Sequence, residues 1–329
     1  MNIKVDESNL TKFVFAIGIL FYHICIWGYD IGGGWLTFIR STCMFGFLFL
    51  SGYGLVMSYY KNGLCNYWEK KFKKIYIPAV VVNILAATIL LVLHKIEYDR
   101  GNIFIEIFML NRLPAINSEL WFLKLLLVWY ILFFIVYSYV HEYKRRIILM
   151  GGVMLLMCYM IPETYGMANL YSMSFAVGVL YAEIQRHISI SQKCVVMMKR
   201  TIFAIAFVGA IIFMNYVAYN NGIVFNKPIN FYGFMLISNI VFGCSALAII
   251  EICGAIIKHS KIVSGYTNIL GGMSLMIYFL QRPLVLDPMI WNSGIIKKTI
   301  CMIIGVCIIN LISYAYSVYC CSQIKVKFR

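Results

Sequence analysis

Residues 12–23, KFVFAIGILFYH, begin with a cation and end with an imidazole, and the ten residues between them carry no charge. In an α-helix each residue turns the chain by about 100° and raises it by about 1.5 Å, so this spacing amounts to about three turns. Lys12 and His23 are therefore predicted to share one helical face, about 16 Å apart. One apolar helix would then present a cation near one end and a titratable base near the other.

The composition around this helix is that of a membrane protein. Of the 329 residues, 62% are hydrophobic and only 12% are charged, whereas soluble domains average about 45–50% apolar and about 25% charged residues. An ionisable group inside a membrane span is energetically expensive and commonly functional. We therefore expect a single integral membrane domain over residues 1–329, with a functional His23, although an interhelical hydrogen bond is its alternative role.

The predicted fold class is all-α, a polytopic membrane bundle of about ten helices. A helix needs about 20 mostly apolar residues to cross the hydrocarbon core, and ten segments approach or exceed that length. They are 10–30, 36–60, 76–95, 121–140, 147–162, 168–184, 202–219, 232–257, 267–281 and 298–321.

The basic residues predict the orientation of these spans. With the N-terminus in the cytoplasm, 19 of the 28 Lys and Arg residues lie in inner segments and seven lie in outer segments. Cytoplasmic loops are enriched in Lys and Arg, so both termini are predicted to be cytoplasmic. This topology also explains the net charge of +15, so membrane lipid is an expected partner and nucleic acid is not; the sequence gives no signal of oligomeric state.

The pairing of Lys12 with His23 suits acyl transfer from a coenzyme A thioester. A polyanionic nucleotide in the cytoplasm would meet the cation at the inner end, although Lys12 could instead be a lipid-headgroup anchor. A slim pantetheine arm could then carry the thioester to His23, which could deprotonate an acceptor hydroxyl as a general base.

Five motifs resemble, in order along the chain, those of the acyltransferase-3 family of integral membrane acyltransferases. Lys12-x10-His23 is similar to the family's Arg-x10-His, FGFLFLSGYGL (45–55) to its second helix, KKFKKIYIPAV (70–80) to its Arg-x-x-Arg segment, LWFLKLLLVWY (120–130) to its LWFL helix, and GGMSLMIYFLQRP (271–283) to its G-x-S-x-x-I-Y-L-x-H-x-P helix. The chain departs from the family pattern where lysines replace arginines and where Gln281 stands in place of a histidine.

The resemblance implies a membrane O-acyltransferase of the bacterial plasma (inner) membrane. Such an enzyme would move an acyl group, most often acetyl, from cytoplasmic acyl-CoA to a hydroxyl of a glycan or lipid-linked saccharide. His23 would be the catalytic base, and Lys12, Lys71 and Lys74 would contact the phosphates of the donor. The four lysines of segment 70–74 could also serve only as a topology signal.

Two further charged residues are candidate catalytic groups. Arg40 is predicted at roughly the depth of His23, where it could stabilise an oxyanion, bind the acceptor or pair with Asp30. Glu119 precedes the fourth span and could orient His23 or the acceptor, or could be a solvated helix cap.

Two other functions are compatible with the sequence. Ten spans with buried charges also suit a transporter or flippase of glycan intermediates. A metal-dependent glycosyltransferase would depend on Glu97 and Asp99, since carboxylates in an outer loop could hold a divalent cation. Two acids separated by one residue are a weak signal, and no metal is expected.

Overall fold

A computed structural model of the chain describes residues 3–92, 100–108, 110, 117, 120–160, 171–188, 191–219, 228–285 and 294–327. These residues are almost entirely helical and contain no β-strand, which confirms the predicted all-α class for this part of the chain. The helices are α1 (Val5–His23), α2 (Gly34–Asn62), α3 (Tyr67–Lys71), α4 (Ile77–Val92), α5 (Arg100–Ile107), α6 (Trp121–Tyr139), α7 (Tyr143–Met160), α8 (Ser174–His187), α9 (Gln192–Tyr219), α10 (Pro228–His259), α11 (Lys261–Val285) and α12 (Ile295–Lys327).

Within the described residues, eight helical segments are long and apolar enough to cross a membrane. They are α1, α2, α3 continued into α4, α6, α9, α10, α11 and α12. Hydrocarbon offers no partner for a backbone N–H or C=O, so an α-helix, which bonds these groups internally, is the form that such apolar segments adopt. The chain is therefore a polytopic helical protein, as its composition predicts.

The predicted count of ten spans is not confirmed. The fifth and sixth predicted spans, 147–162 and 168–184, correspond to α7 and α8, and part of each lies outside the described residues. Helix α8 has 14 residues, which gives a length of about 21 Å, less than the hydrocarbon thickness of about 30 Å. The first turn of helix α7 contains Lys144, Arg145 and Arg146, and these charges reduce its apolar length.

Helix α2 forms the centre of the bundle. Over the most apolar 18 residues of α2, 78% of the residues are buried inside the protein, compared with 6% for the corresponding stretch of α9. Helix α8 packs on α2 through two reciprocal glycine contacts. A Cβ at Gly52 would overlap the carbonyl oxygen of Phe175, and a Cβ at Gly178 would overlap that of Phe49. The backbones therefore approach each other as closely as small residues allow.

Helix α1 packs against α2, α10 and α11. It runs antiparallel to α2, because Gly18 lies against Cys43 whereas Phe15 lies against Gly46. It runs parallel to α11, where Asp6 accepts a hydrogen bond from the Thr267 hydroxyl at 2.8 Å. One turn further along α1, the Asn9 amide donates to the Asn268 oxygen at 3.1 Å, and the same side chain lies against Gly271, one turn beyond Thr267 on α11. These contacts fix the rotation and the depth of α1.

The close contact between α2 and α8 predicts different effects at two neighbouring glycines. Gly52→Ala should destabilise the protein by about 1–3 kcal/mol, the usual range for overpacking a filled core, because backbone atoms of α8 cannot move aside easily. Gly54→Ala is the matched control, since a Cβ at Gly54 would have no atom within 4 Å. Thermal unfolding of the detergent-purified variants measures the difference. Equal midpoints for the two variants would contradict this account of the α2–α8 contact.

Candidate functional site

The predicted donor-binding lysines lie together beside the N-terminal half of α1. Lys71 ends α3, and Lys74 lies in the turn that follows it. The charge of Lys71 interacts with those of Lys12, Lys74 and Lys70. Lys12, from a different helix, therefore lies within electrostatic range of Lys71. The structure therefore brings Lys12, Lys71 and Lys74 into one basic cluster.

The four lysines of segment 70–74 differ in their partners. Lys70 donates to the carbonyl of Cys65 at 3.1 Å, and Lys73 forms a 2.6 Å ion pair with Glu69, one turn earlier. Among the described residues, no carboxylate forms an ion pair with Lys71 or Lys74. Like charges that lie close together without a counter-ion suit the binding of a polyanion.

Two tyrosines hold the ammonium group of Lys71. Its Nζ lies 4.3 Å from the ring centroid of Tyr130 and 5.6 Å from that of Tyr67, which is within the range of cation–π attraction. The Tyr67 hydroxyl donates to the Tyr130 carbonyl at 3.0 Å, and the Tyr130 hydroxyl is hydrogen-bonded to Ser51. Both rings are buried, so the position of Lys71 is set by the core rather than by lipid headgroups.

His23 lies at the opposite end of α1 from the basic cluster. It is the last residue of the helix and is 5% exposed. The helix continues from Lys12 to His23 without interruption, so the predicted rise of about 16 Å between the two residues applies. The structure therefore groups the lysines with each other and leaves His23 buried about three helical turns away.

A π-helical turn follows each of the two central candidates. Residues Ile24–Gly28 form one directly after His23, and residues Phe72–Tyr76 form the other directly after Lys71. A π-turn replaces i→i+4 bonds by wider i→i+5 bonds and is frequent at functional sites. The sequence gives no indication of either turn, and each directly follows a predicted site residue.

Arg40 binds the residue next to His23. Its Nη1 donates to the Tyr22 hydroxyl at 2.8 Å, and its guanidinium carbon lies 4.7 Å from the Tyr22 ring centroid. Arg40 is half-buried on α2, so its charge is directed toward the C-terminal end of α1. The prediction that Arg40 lies near the depth of His23 agrees with this contact.

Three acidic residues for which the sequence suggests a functional role lie outside the described residues: Glu119, Glu97 and Asp99. Their roles stay predictions. The described residues contain no group of three or more His, Cys, Asp or Glu side chains that could hold a metal ion.

Sequence reasoning missed a buried polar network at the C-terminal end of α2. Glu183 of α8 is fully buried and forms a 3.0 Å ion pair with Arg146 of α7. Its carboxylate also accepts hydrogen bonds of 2.7 Å from the hydroxyls of Tyr60 and Tyr137. The Arg146 guanidinium lies over the Tyr137 ring, 4.8 Å from its centroid. The network joins α2, α6, α7 and α8 at one end of the bundle.

This network is largely satisfied by its own members, which favours a structural role. A buried ion pair is stable only when further hydrogen bonds serve the remaining polar atoms, and the two tyrosine hydroxyls do so here. The signal in the sequence was Glu183 itself, an acid inside the predicted span 168–184. Arg146, in contrast, was indistinguishable from the other basic residues near a cytoplasmic span end.

Comparison with known proteins gives one match. A family model described as an acyltransferase domain, Acyl_transf_3, matches residues 5–316, nearly the whole chain. The chain matches no curated protein and no solved structure at a significant level.

Proposed function

The chain belongs to the acyltransferase-3 family and is a membrane acyltransferase, and we propose that it moves an acetyl group from acetyl-CoA to a hydroxyl of a glycan or lipid-linked saccharide. The donor is the expected cytoplasmic thioester, and no resident cofactor or metal is required. The acceptor lies at or beyond the outer face of the membrane.

The proposed topology puts the basic cluster on the cytoplasmic side. We infer ten spans in a bacterial plasma membrane with both termini in the cytoplasm, from the distribution of Lys and Arg. The end of the bundle that carries Lys12, Lys71 and Lys74 would then face the cytoplasmic pool of acetyl-CoA.

The proposal rests mainly on the separation, along α1, of the clustered lysine ammonium groups from the buried imidazole of His23. Lys12 joins a cluster of cations that has no acidic partner among the described residues, and His23 is buried at the other end of the same helix. A donor with a polyanionic head and a long neutral arm that ends in a reactive thioester matches this division. The axial separation of about 16 Å is of the same order as the length of the pantetheine arm.

In the proposed donor site, lysine ammonium groups bind the phosphates of the nucleotide. Lysine binds phosphate as a point charge and lacks the two-pronged geometry of arginine. The tyrosine rings around Lys71 compensate in part, because they hold its ammonium group in place before the donor arrives. Less side-chain freedom is then lost on binding.

In the proposed reaction, His23 acts as the general base. Its imidazole accepts the proton of the acceptor hydroxyl while that oxygen attacks the thioester carbonyl carbon. The tetrahedral intermediate collapses with cleavage of the C–S bond. The leaving thiolate then takes the proton from the imidazolium, which gives coenzyme A as the free thiol and restores neutral His23.

We propose that Arg40 and Tyr22 assist near the reacting carbonyl. Tyr22 accepts a hydrogen bond from Arg40 at 2.8 Å, which fixes both side chains next to His23. A cation and a hydroxyl fixed next to His23 could stabilise the negative charge that develops on the thioester oxygen. Glu119, which lies outside the described residues, stays a candidate for orienting His23.

Loss of the Lys71 charge should weaken donor binding. Lys71→Gln should raise the KM for acetyl-CoA about tenfold, the effect of losing one charge-assisted hydrogen bond of about 1.5 kcal/mol, and should change kcat less. Lys73→Gln is the matched control, because Lys73 is exposed and already paired with Glu69. Initial rates of thiol release measure both constants. Equal KM values for the two variants would reduce Lys71 to a topology signal.

Loss of the His23 imidazole should abolish most of the catalytic activity without unfolding the protein. His23→Ala should lower the rate of acetyl transfer or acetyl-CoA hydrolysis by about 10²–10⁴-fold, the usual contribution of general base catalysis. The assay uses purified protein in lipid nanodiscs, without an ion gradient. His141→Ala is the control, since His141 is exposed in the turn between α6 and α7.

Two outcomes would contradict this function. Wild-type rates in the His23→Ala protein would show that His23 is not the base. If wild-type protein left acetyl-CoA intact but moved a labelled lipid-linked glycan across vesicles, the protein would be a flippase. A transporter needs one substrate site that opens alternately to both sides, whereas an acyltransferase consumes its donor.

A further inference from the structure

Gln281 is a buried amide that the proposed chemistry does not use. Its side chain is fully buried in α11, and neither Nε2 nor Oε1 has a hydrogen-bond partner among the described residues. Burying an unpaired amide is costly, by about 1–3 kcal/mol on mutational scales. A bound ligand would supply the hydrogen-bond partners that the Gln281 amide lacks.

Gln281 lies at the depth of His23. The hydrogen bonds between the parallel helices α1 and α11 pair residues about 260 positions apart in the sequence. In that register Gln281 is level with residue 21, which is about 3 Å along the axis from His23. The unsatisfied amide is therefore in the layer of the bundle where the proposed reaction takes place.

Two further buried side chains in this layer have an unpaired oxygen. Thr42 of α2 is 2% exposed, and its hydroxyl has no partner among the described residues. Its neighbour Cys43 lies against Gly18 of α1, so Thr42 is level with a residue about one turn before His23. Asn117 is fully buried, and its Oδ1 is likewise unpaired within the described part of the chain. We call Thr42, Asn117 and Gln281 the polar layer.

A proline in α11 fixes Asn117 at this depth. Pro283 lies inside the helix and has no N–H, so the carbonyl of Phe279, four residues earlier, loses its helical donor. The Asn117 amide donates to that carbonyl at 3.1 Å instead. The Asn117 amide nitrogen therefore replaces the missing helical donor to the Phe279 carbonyl. Its amide oxygen has no hydrogen-bond partner among the described residues.

The unpaired atoms of the polar layer match hydroxyl groups. They comprise an amide nitrogen that donates, two amide oxygens that accept, and a threonine hydroxyl that does both. A thioester carbonyl only accepts, so it would leave the amide oxygens unsatisfied. A phosphate would also leave them unsatisfied and would favour cations. A saccharide carries several hydroxyls, each of which donates and accepts at once.

We propose that the polar layer binds the hydroxyl groups of the acceptor saccharide, with Gln281 as its principal specificity-determining contact. This inference rests on the proposed function, because it assigns the acceptor side of the site around His23. The cytoplasmic basic cluster would then hold the donor, and the polar layer would hold the acceptor that receives its acetyl group.

The test compares transfer with hydrolysis in one enzyme. Protein in lipid nanodiscs receives acetyl-CoA and n-octyl β-D-glucoside, kept below its critical micelle concentration. The acetylated glucoside and free acetate are quantified by mass spectrometry. Because water and the glucoside compete for the same acetyl group, the product ratio does not depend on the fraction of folded protein.

Gln281→Leu and Thr42→Val should each lower the ratio of glucoside ester to acetate about 3- to 10-fold, the loss expected for one or two hydrogen bonds. The KM for acetyl-CoA should change less than about twofold. Gln281→His should keep most of the transfer, since a neutral imidazole supplies one donor and one acceptor.

A matched control lies outside the polar layer. Ser313→Ala removes a buried hydroxyl without a partner in the described structure. This variant should keep the wild-type product ratio. The proposal is wrong if the Gln281→Leu protein also keeps that ratio, or if wild-type protein hydrolyses acetyl-CoA but never acetylates the glucoside. Failure to consume acetyl-CoA at all would instead count against the proposed function.

Discussion

Helix α1 can hold a cation at one end and an imidazole at the other only because its neighbours fix its rotation and its depth. On one side Gly18 and Phe15 fit against α2 so closely that an added methyl group would overlap. On the other side Asp6 and Asn9 bond to α11. A rotation by one residue, about 100°, would break both contacts. It would also turn the shared face of Lys12 and His23 away from its present neighbours, so the proposed chemistry depends on these contacts.

Much of this arrangement follows from the sequence. Apolar runs of about 20 residues are typical of membrane-spanning helices, and a separation of eleven residues puts Lys12 and His23 on one helical face. The resemblance to the acyltransferase-3 family singled out Lys71 and Lys74 by motif spacing, and the family match covers nearly the whole chain. The cluster that these lysines form with Lys12 is the part of the site that the structure adds to that prediction.

The rest depended on tertiary contacts that a single sequence does not carry. Gly52 and Gly54 look alike in the sequence, but only Gly52 lies under the backbone of another helix. The pairing of Glu183 with Arg146 joins residues that are far apart in the chain. Two of the ten predicted spans, 147–162 and 168–184, are not confirmed, because part of each lies outside the described residues and the helix described in the second has 14 residues. The sequence marks Gln281 only as a departure from a family motif, because the burial of a side chain and its hydrogen-bond partners cannot be read from composition.

The central claim is that one donor molecule reaches from the basic cluster to His23. A cryo-EM structure with a non-hydrolysable acetyl-CoA analogue, in which a methylene group replaces the thioester sulfur, would test it most directly. The account predicts nucleotide phosphates beside Lys12 and Lys71, a pantetheine arm that follows α1, and an acetyl carbonyl within hydrogen-bonding range of the Arg40–Tyr22 pair. An analogue bound with its acetyl group near the lysines, or outside the bundle and away from His23, would contradict it.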